Sequence, residues 1–293
     1  MHQVANQTLR MSAMKIVIAL ISLVVAAQAV DWHNIKPKHA FKNPIKAFPK
    51  TDRIIGGTNA SPGLLPFQAG IFADAGWFCG GSLIKNNKVL TAAHCCDGSG
   101  SFEVHLGAQD IYDLNEANLQ IVTSSNGQVH EQYNPSITGL DNDICIIHLD
   151  ATVSGQGIAP VRLPSRSQVS ETFVGYTATV SGWGLTSDEG TTIWPDLQYV
   201  SVNVITNAEC DAYYGTITDI FLCTGTEGGT AGTCSGDSGG PLTIVEPDGL
   251  RTQVGTFSFV SGAGCESAGP NGYARLTKYL NWLETNAGVT IRP

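Results

Sequence analysis

The order of three short motifs constrains this chain more than any other feature of its sequence. His94 lies in a Thr-Ala-Ala-His-Cys segment, Asp143 follows in Asp-Asn-Asp-Ile, and Ser238 comes last in Gly-Asp-Ser-Gly-Gly-Pro. A serine hydroxyl is a weak nucleophile near neutral pH, so it needs an imidazole base and a carboxylate that orients this base. The glycines around Ser238 allow a sharp turn that directs the N–H groups of Gly236 and Ser238 at a developing oxyanion. The motifs therefore predict an acyl-transfer site with catalytic residues His94, Asp143 and Ser238 and an oxyanion hole at Gly236 and Ser238.

The positions of the histidines exclude an alternative scaffold. The Gly-x-Ser-x-Gly pattern at 236–240 also fits the strand-to-helix turn of α/β-hydrolases, in which the histidine follows the serine. All seven histidines precede Ser238, at positions 2, 33, 39, 94, 105, 130 and 148. A subtilisin-like order would need an aspartate before the histidine, and between Ile54 and His94 only Asp74 qualifies, in a loop-like segment. The order His, Asp, Ser remains.

From Ile54 to Pro293 the chain resembles the chymotrypsin-like serine proteases. Besides the three motifs above, residues 54–57 (Ile-Ile-Gly-Gly) are similar to the mature N-terminus of that family, residues 79–84 to an early strand, and residues 181–184 (Ser-Gly-Trp-Gly) to a strand of its second half. The resemblance implies an all-β fold of two packed six-stranded antiparallel β-barrels with a C-terminal helix. It also implies a serine endopeptidase whose catalytic residues converge between the barrels.

The hydrophobic pattern of the chain indicates many short strands and little helix. Gly-, Asn- and Ser-rich turns separate short apolar runs, which lie at residues 68–72, 88–91, 143–149, 176–181 and 253–260. Runs of this length between turn residues are typical of antiparallel strands. Residues 273–286 instead place Leu276, Tyr279, Leu280 and Leu283 at helical spacing, which predicts an amphipathic C-terminal helix.

The N-terminus is predicted to be a secretion signal. Lys15 precedes an apolar run at 16–27 that is too short for a comfortable transmembrane helix, and Ala-Gln-Ala follows at 27–29. Small residues at this spacing suit signal peptidase. We therefore predict a signal peptide at 1–29, with Met11 or Met14 as alternative starts, and a secreted, extracellular protein.

A basic segment separates the predicted signal peptide from Ile54. Residues 30–53 contain six Lys and Arg and no cysteine, so no disulfide can tether them after cleavage. They are predicted to be an activation propeptide, and residues 54–293 the serine protease domain. The resemblance implies that a trypsin-like protease cuts after Arg53 and that the new ammonium group of Ile54 pairs with Asp237. The propeptide could dock on the rest of the protein, but a solvated tail is the favoured interpretation.

The protease domain itself is strongly acidic. Residues 54–293 hold eight Lys and Arg against 23 Asp and Glu, a formal net charge of −15. Such acidity disfavours nucleic acid and anionic membranes as partners. We expect protein or peptide substrates, a trypsin-like activating protease and protein protease inhibitors as partners, and a monomer. We expect no cofactor and no metal, since Ala108 replaces an acidic ligand of the family's calcium loop, although Asp110, Asp113 and Glu116 leave a weak calcium site open.

Eight cysteines behind a predicted signal peptide indicate disulfides rather than a metal site. The family pattern suggests three bridges, namely Cys79–Cys95, Cys210–Cys223 and Cys234–Cys265. Cys96 and Cys145 remain, and they follow His94 and Asp143 by two positions each. A fourth bridge between them is our hypothesis, with two buried free thiols as the alternative.

The resemblance also implies which residues bind the substrate. They are Gly232, Ser258, Phe259, Val260 and Asn271. Gly232 matches the pocket floor, where trypsin-like members have an aspartate, Val260 the pocket mouth, and Asn271 the far wall. Ser258 borders the triad and begins the segment 258–260, which is expected to pair with the substrate backbone.

This pocket is similar to those of elastases and brachyurin-type proteases. An uncharged floor predicts cleavage after apolar residues rather than after Lys or Arg. A one-residue misalignment of the loops around Gly262 and Gly269 would move Asn271 out of the pocket. The alternative function is a catalytically silent binding protein with a protease fold. Digestion fits the lack of regulatory modules, but an immune or venom protease could have the same sequence features.

Overall fold

The computed structural model describes residues 35–37, 54–74, 76–135 and 140–293. The predicted signal peptide and most of the predicted propeptide, including Arg53, lie outside the described residues. Within the described ranges, no helix combines the length and the apolar composition needed to cross a membrane.

Eight strands form the first sheet. They are β1 (Lys36–Pro37), β3 (Gln68–Ala73), β4 (Trp77–Lys85), β5 (Lys88–Thr91), β6 (Phe102–Leu106), β7 (Gln120–Ser124), β8 (Gly127–Val129) and β9 (Cys145–His148). Their order is β7-β6-β3-β4-β5-β9-β8, and β1 pairs with β4 outside this path. The two end strands β7 and β8 follow each other along the chain, so the sheet curls around a core that includes Ile71, Val104 and Ile147.

The second sheet has seven strands and closes on itself. They are β2 (Thr58–Asn59), β10 (Thr177–Gly182), β11 (Gln198–Ile205), β12 (Phe221–Thr224), β13 (Pro241–Val245), β14 (Arg251–Phe259) and β15 (Asn271–Arg275). Six of them, β10-β13-β14-β15-β12-β11, form a ring because β10 and β11 also pair, and β2 lies on β11. Its core includes Val180, Leu242 and Phe257.

The fold prediction of two antiparallel β-barrels with a C-terminal helix is confirmed, with one difference. The first barrel is an open sheet, because its sixth strand breaks between Ser124 and Gly127 into β7, which pairs with β6, and β8, which pairs with β9. Buried polar bonds join the barrels: the Ser82 hydroxyl donates to Gln253 Oε1 over 2.6 Å, and the Ser181 hydroxyl to Gln68 Oε1 over 2.7 Å. Because buried polar groups require partners, these bonds fix how the two barrels meet.

Helix is scarce among the described residues. The α-helices are α1 (Ala93–Cys96), α2 (Asn207–Tyr214) and α3 (Leu280–Ala287), and the 3-10 helices are Arg166–Gln168 and Leu276–Lys278. The predicted helix start at Tyr273 is wrong, because residues 273–275 complete β15 and α3 begins only at Leu280. Tyr273 pairs with Leu222 and Phe257 on its two sides, so the sheet overrides the helical spacing. Gly288, with a φ of 61°, ends the helix in the left-handed region.

The favoured interpretation of the propeptide as a solvated tail is wrong for its described residues. Ile35 is 1% exposed and Pro37 is also buried. Lys36 and Pro37 form β1, which pairs in parallel with Trp77 and Phe78 of β4. The sequence pattern gave no sign of this contact, because a two-residue strand is too short to show periodicity.

Candidate active site

His94 and Asp143 come together because His94 follows β5, Asp143 precedes β9, and these two strands are neighbours in the sheet. Thr91 at the end of β5 pairs with Cys145 at the start of β9, so α1 and the turn before β9 lie side by side. The Asp143 carboxylate accepts the His94 backbone N–H over 2.9 Å and the His94 Nδ1–H over 2.8 Å. Since a carboxylate only accepts, Nδ1 carries the proton, and in the neutral ring the lone pair is on Nε2.

Asp143 is fully buried and takes a third hydrogen bond from the second barrel. The Ser258 hydroxyl, on β14, donates to Asp143 Oδ2 over 2.5 Å. Three donors to one buried carboxylate compensate for its loss of hydration and fix the orientation of the imidazole. His94 Nε2 is buried and has no hydrogen-bond partner among the described residues. It is therefore suited to accept a proton from a hydroxyl group.

The loop that carries Ser238 packs against the segment around His94. The Ser238 carbonyl accepts the Gly80 N–H of β4 over 2.8 Å, and it lies 3.6 Å from Cys95 Sγ. Gly239 has a φ of 79°, and a Cβ there would lie 2.0 Å from the Thr91 hydroxyl oxygen. Only glycine fits this close approach, and the structure thereby brings the serine loop of the second barrel to the histidine segment of the first.

The turn before Ser238 contains the predicted oxyanion-hole residue Gly236. Gly236 has a φ of 96°, which favours glycine. The Ser235 carbonyl accepts the Leu185 N–H over 2.7 Å. In a trans peptide the N–H points opposite to the carbonyl, so the Gly236 N–H is directed away from Leu185. The sequence did not reveal the role of Leu185, because a backbone donor leaves no side-chain signature.

Asp237 is fully buried behind the serine. Its carboxylate accepts the Gly184 N–H over 2.8 Å and the Cys234 N–H over 3.0 Å. Burial raises the pKa of Asp237 to about 7, although these two hydrogen bonds oppose the rise. A Cβ on Gly182 or on Gly184 would lie 2.1 or 2.5 Å from atoms of this side chain. The Ser-Gly-Trp-Gly motif therefore makes room for this carboxylate, which forms no ion pair with the residues that the structure describes.

Ile54 and Ile55 are buried close to the pocket. Ile54 has no exposed surface, and the Ile55 carbonyl accepts the Gly232 N–H over 3.1 Å. Gly56, with a φ of 72°, would place a Cβ only 2.2 Å from the Thr230 carbonyl oxygen. This segment is thus packed against residues 230–232, while Arg53 lies outside the described residues.

Gly232 and Asn271 meet at the base of the predicted pocket. A Cβ on Gly232 would lie 2.4 Å from Asn271 Oδ1, and that oxygen accepts the Thr233 N–H over 3.2 Å. The base is therefore neutral, with an amide where an acid would attract a cation. Val260 packs, half-buried, against the apolar cluster that contains Cys234 and Cys265. The Phe259 side chain is buried between the rings of Tyr214 and Phe221, so the predicted substrate contacts of this residue would involve its backbone.

All eight cysteines are paired in the structure. The bridges are Cys79–Cys95, Cys96–Cys145, Cys210–Cys223 and Cys234–Cys265. The hypothesised fourth bridge, Cys96–Cys145, is therefore present, and it joins the residues two positions beyond His94 and Asp143. The candidate clusters for a metal ion among the described residues both contain disulfide-bonded cysteines.

Carboxylates of the predicted calcium-like loop bind the loop's own backbone. Glu116 accepts the N–H groups of Gln109 and Asp110 over 2.6 and 2.7 Å. Asp113 accepts the Asn115 N–H over 2.9 Å. These bonds give the carboxylates a structural role in the first barrel.

Asp188 is a residue whose role the sequence did not reveal. Its carboxylate accepts the Cys265 N–H over 2.6 Å and the Glu266 N–H over 3.2 Å, and Glu266 Oε2 accepts the Asp188 N–H over 2.9 Å. This reciprocal pair joins the loop after Leu185 to the loop that closes the Cys234–Cys265 bridge. It therefore connects the segment of Leu185, which binds the Ser235 carbonyl, to the loop that contains Cys265.

Two antiparallel barrels with a serine, a histidine and an aspartate at their junction define the chain as a serine endopeptidase of chymotrypsin-like fold. Residues 54–283 match the Trypsin family, and the chain belongs to this family. It is 43% identical over 238 residues to Brachyurin of Leptuca pugilator, which covers 81% of this chain and all of that protein. It is 40% identical over 257 residues to Collagenase of Hypoderma lineatum, which covers 85% of this chain and 94% of that protein.

A solved structure gives the same result at the level of the fold. A structure of HL collagenase superposes with a TM-score of 0.72, at 37% identity, over 81% of this chain and 100% of that chain. The resemblance to elastase and brachyurin-type proteases is thereby confirmed.

Proposed function

We propose that this endopeptidase is secreted as a zymogen, is activated by cleavage after Arg53, and cleaves after uncharged apolar residues by a His94–Asp143–Ser238 mechanism. The observation that carries the mechanism is the buried Asp143 carboxylate, which binds the backbone and the ring of His94 and the Ser258 hydroxyl. Such a carboxylate holds the imidazole in one tautomer with its lone pair on Nε2.

The proposed reaction has two halves. His94 Nε2 takes the proton of the Ser238 hydroxyl while Ser238 Oγ attacks the substrate carbonyl carbon. The Gly236 and Ser238 N–H groups then stabilise the oxyanion. The carbonyl re-forms as the C–N bond breaks, and His94 gives its proton to the leaving amine. Water then attacks the acyl-enzyme with His94 as base, and Ser238 is released with its proton restored.

Specificity is assigned to the neutral base of the pocket. A Lys or Arg side chain there would meet the Asn271 amide without a carboxylate partner, and an unpaired buried cation costs several kcal/mol. An apolar substrate side chain has no charge and needs no such partner. Val260 narrows the entrance of the pocket. The name of the relative Collagenase suggests collagen as one protein substrate to test beside casein.

Activation is assigned to the buried carboxylate of Asp237. Burial raises the pKa of Asp237 because it disfavours the charged form. Cleavage after Arg53 would create an ammonium on Ile54, and the buried position of Ile54 and Ile55 supports pairing of this group with Asp237. The activating partner would be a trypsin-like protease, and the predicted signal peptide and the four disulfides support an extracellular, digestive setting.

Labelling with a serine-directed phosphonate tests the proposed function. After trypsin treatment of the precursor, we expect one phosphonate on the peptide that contains Ser238 and loss of caseinolytic activity in proportion to labelling. The Ser238→Ala protein, treated identically, serves as the control. A correctly cleaved protein that neither reacts nor hydrolyses casein would support the catalytically silent binding protein instead.

A further inference from the structure

The beginning of β4 is a strand edge beside the catalytic cleft. β3 pairs with β4 from Trp77 onward, but β5 pairs with it only from Ser82 to Lys85. The opposite edge of Trp77 and Phe78 is therefore left for another strand, and β1 takes this place. Edges of this kind bind extended peptides by adding a strand, largely through the backbone.

The residues of the propeptide fit this edge closely. The Lys36 N–H donates to the Gly76 carbonyl over 3.2 Å, and the burial of the segment alternates around it. Ile35 is 1% exposed and Pro37 is buried, whereas Lys36 is exposed. The Pro37 Cβ lies 3.5 Å from the point that a Cβ on Gly236 would occupy. The segment thus extends from the β4 edge to the turn of the oxyanion hole.

This position is on the leaving-group side of Ser238. Substrate residues before the scissile bond are assigned to the segment 258–260, at the end of β14. The Ser238 carbonyl is bound by Gly80 of β4, on the other side of the nucleophile. A substrate that continues past the scissile bond therefore leads towards β4 and Gly236, where Ile35–Pro37 lies.

We propose that Ile35–Pro37 is a docking segment through which the propeptide occupies the leaving-group side of the cleft and competes with substrate there, even after Arg53 has been cut. This inference rests on the proposed function, because it concerns the same site and the same cleavage. It assigns residues 30–53 a second role as a dissociable inhibitor besides that of a segment removed on activation.

The contact is built to be reversible. Pro37 has no N–H group, so it cannot donate a hydrogen bond to continue the ladder along β4. No cysteine lies in residues 30–53, so the cleaved segment is held without a covalent bond. The six Lys and Arg of the propeptide are attracted to residues 54–293, which carry a formal net charge of −15. This attraction speeds their association and weakens as the salt concentration rises. Dilution after activation would release it.

The experiment uses mature enzyme, freed of its propeptide by trypsin and gel filtration, and a synthetic peptide of residues 30–53. An extended, internally quenched peptide substrate has residues on both sides of the scissile bond, whereas a short acyl-Leu anilide lacks them on the leaving side. We expect competitive inhibition of the extended substrate and inhibition of the anilide that is at least threefold weaker. Equal inhibition of both substrates, or inhibition of neither, would overturn the proposal.

Two peptide variants receive the same new side chain at neighbouring positions. Ile35→Gln places an amide at a buried position and is expected to weaken inhibition at least tenfold, which corresponds to about 1.4 kcal/mol. Lys36→Gln changes an exposed position and is expected to keep inhibition within about threefold, the range of one surface charge. A larger effect of Lys36→Gln would mean that charge alone holds the peptide and would contradict docking.

A binding measurement separates this inference from the proposed catalytic function. In Ser238→Ala protein, the peptide is expected to slow hydrogen exchange in the segment 76–78, and the Ile35→Gln peptide is not. If the mature enzyme is inactive while this protection occurs, the proposed function fails and docking stands. If the enzyme is active but the segment stays unprotected, docking fails and the proposed function stands.

Discussion

At the scale of single residues, the proposed catalytic unit depends on hydrogen bonds around one buried carboxylate. Replacing Ser238, His94 or Asp143 with Ala is expected to lower kcat by several powers of ten, because the groups act as one unit and single losses approach the combined loss. The check is casein hydrolysis after trypsin activation, with circular dichroism to show that the fold remains. Activity of Ser238→Ala close to wild type would contradict the assignment.

The raised pKa of Asp237 leads us to expect that the stability of the precursor and that of the cleaved protein depend differently on pH. Its pKa, raised to about 7 by burial, lies above that of an unfolded aspartate, near 3.9. The protonated form therefore favours the folded precursor, and this stabilisation is lost as pH rises from about 4 to 7. In the cleaved protein the Ile54 ammonium would pair with the carboxylate and remove this loss.

Thermal unfolding of the Ser238→Ala protein between pH 4 and pH 8, before and after trypsin cleavage, measures this difference. We expect the unfolding temperature of the precursor to decline relative to that of the cleaved form. An Asp237→Asn precursor is the control and should lack this decline. Identical pH profiles of the precursor and the cleaved protein would count against the ion pair.

From the hydrogen bonds of Asp188 we expect that this residue positions the two loops beside the predicted pocket and thereby affects catalysis. Asp188→Asn removes one acceptor from the pair of loops beside the pocket, and hydrogen bonds to charged groups contribute about 1.5–3 kcal/mol. We expect kcat/KM to fall about tenfold, since 1.4 kcal/mol corresponds to that factor. Asp113→Asn, which changes a carboxylate in the first barrel that accepts one backbone N–H, is the matched control and should leave kcat/KM within about twofold of wild type. Equal effects of the two variants would exclude a special role for Asp188.

At the scale of elements, the Cys96–Cys145 bridge joins α1 to the start of β9. It spans 49 residues, against 13 for Cys210–Cys223. The chain-entropy relation gives about 4 kcal/mol for the longer loop and about 3 kcal/mol for the shorter. The Cys96→Ser/Cys145→Ser protein should therefore unfold at lower denaturant concentration than the Cys210→Ser/Cys223→Ser protein.

Denaturant titrations of the two double variants in the Ser238→Ala background test this order. The hydrogen bonds of Asp143 do not involve either bridge, so in the active background kcat should remain within about tenfold of wild type at a temperature where the protein is folded. A Cys96→Ser/Cys145→Ser protein as stable as wild type would show that the bridge contributes nothing.

The sequence predicted elements well where a strand is a short apolar run of its own between turn residues. The apolar runs at 68–72, 88–91 and 176–181 correspond to β3, β5 and β10. The sequence did not predict the structure correctly where pairing with another strand determines the conformation of a segment. Residues 273–275 have helical spacing but are paired on both sides in the sheet, and β1 has only two residues.

At the scale of the whole molecule, the residues of the candidate site also divide into those that the sequence predicted and those that it did not. His94, Asp143 and Ser238 were predicted because their chemistry requires particular side chains, and Gly232 and Asn271 were predicted through the family resemblance. Leu185 and Asp188 were not, because they act through backbone N–H groups and loop contacts that only the folded chain brings together. The order of the motifs left the scaffold in which histidine, aspartate and serine follow one another, and the resemblance to the chymotrypsin-like family then implied two barrels.

The proposed function makes this chain a zymogen with an uncharged pocket that cannot cut after its own Arg53. The direct measurement is hydrolysis of Leu, Phe and Arg anilides by purified precursor, incubated alone or with trypsin that is then blocked by a trypsin-specific inhibitor. The precursor alone should stay silent. After trypsin it should cleave the Leu and Phe substrates at least about a hundredfold faster than the Arg substrate, since each 1.4 kcal/mol of discrimination is a factor of ten. Spontaneous activation of pure precursor, or a preference for Arg after activation, would contradict the account.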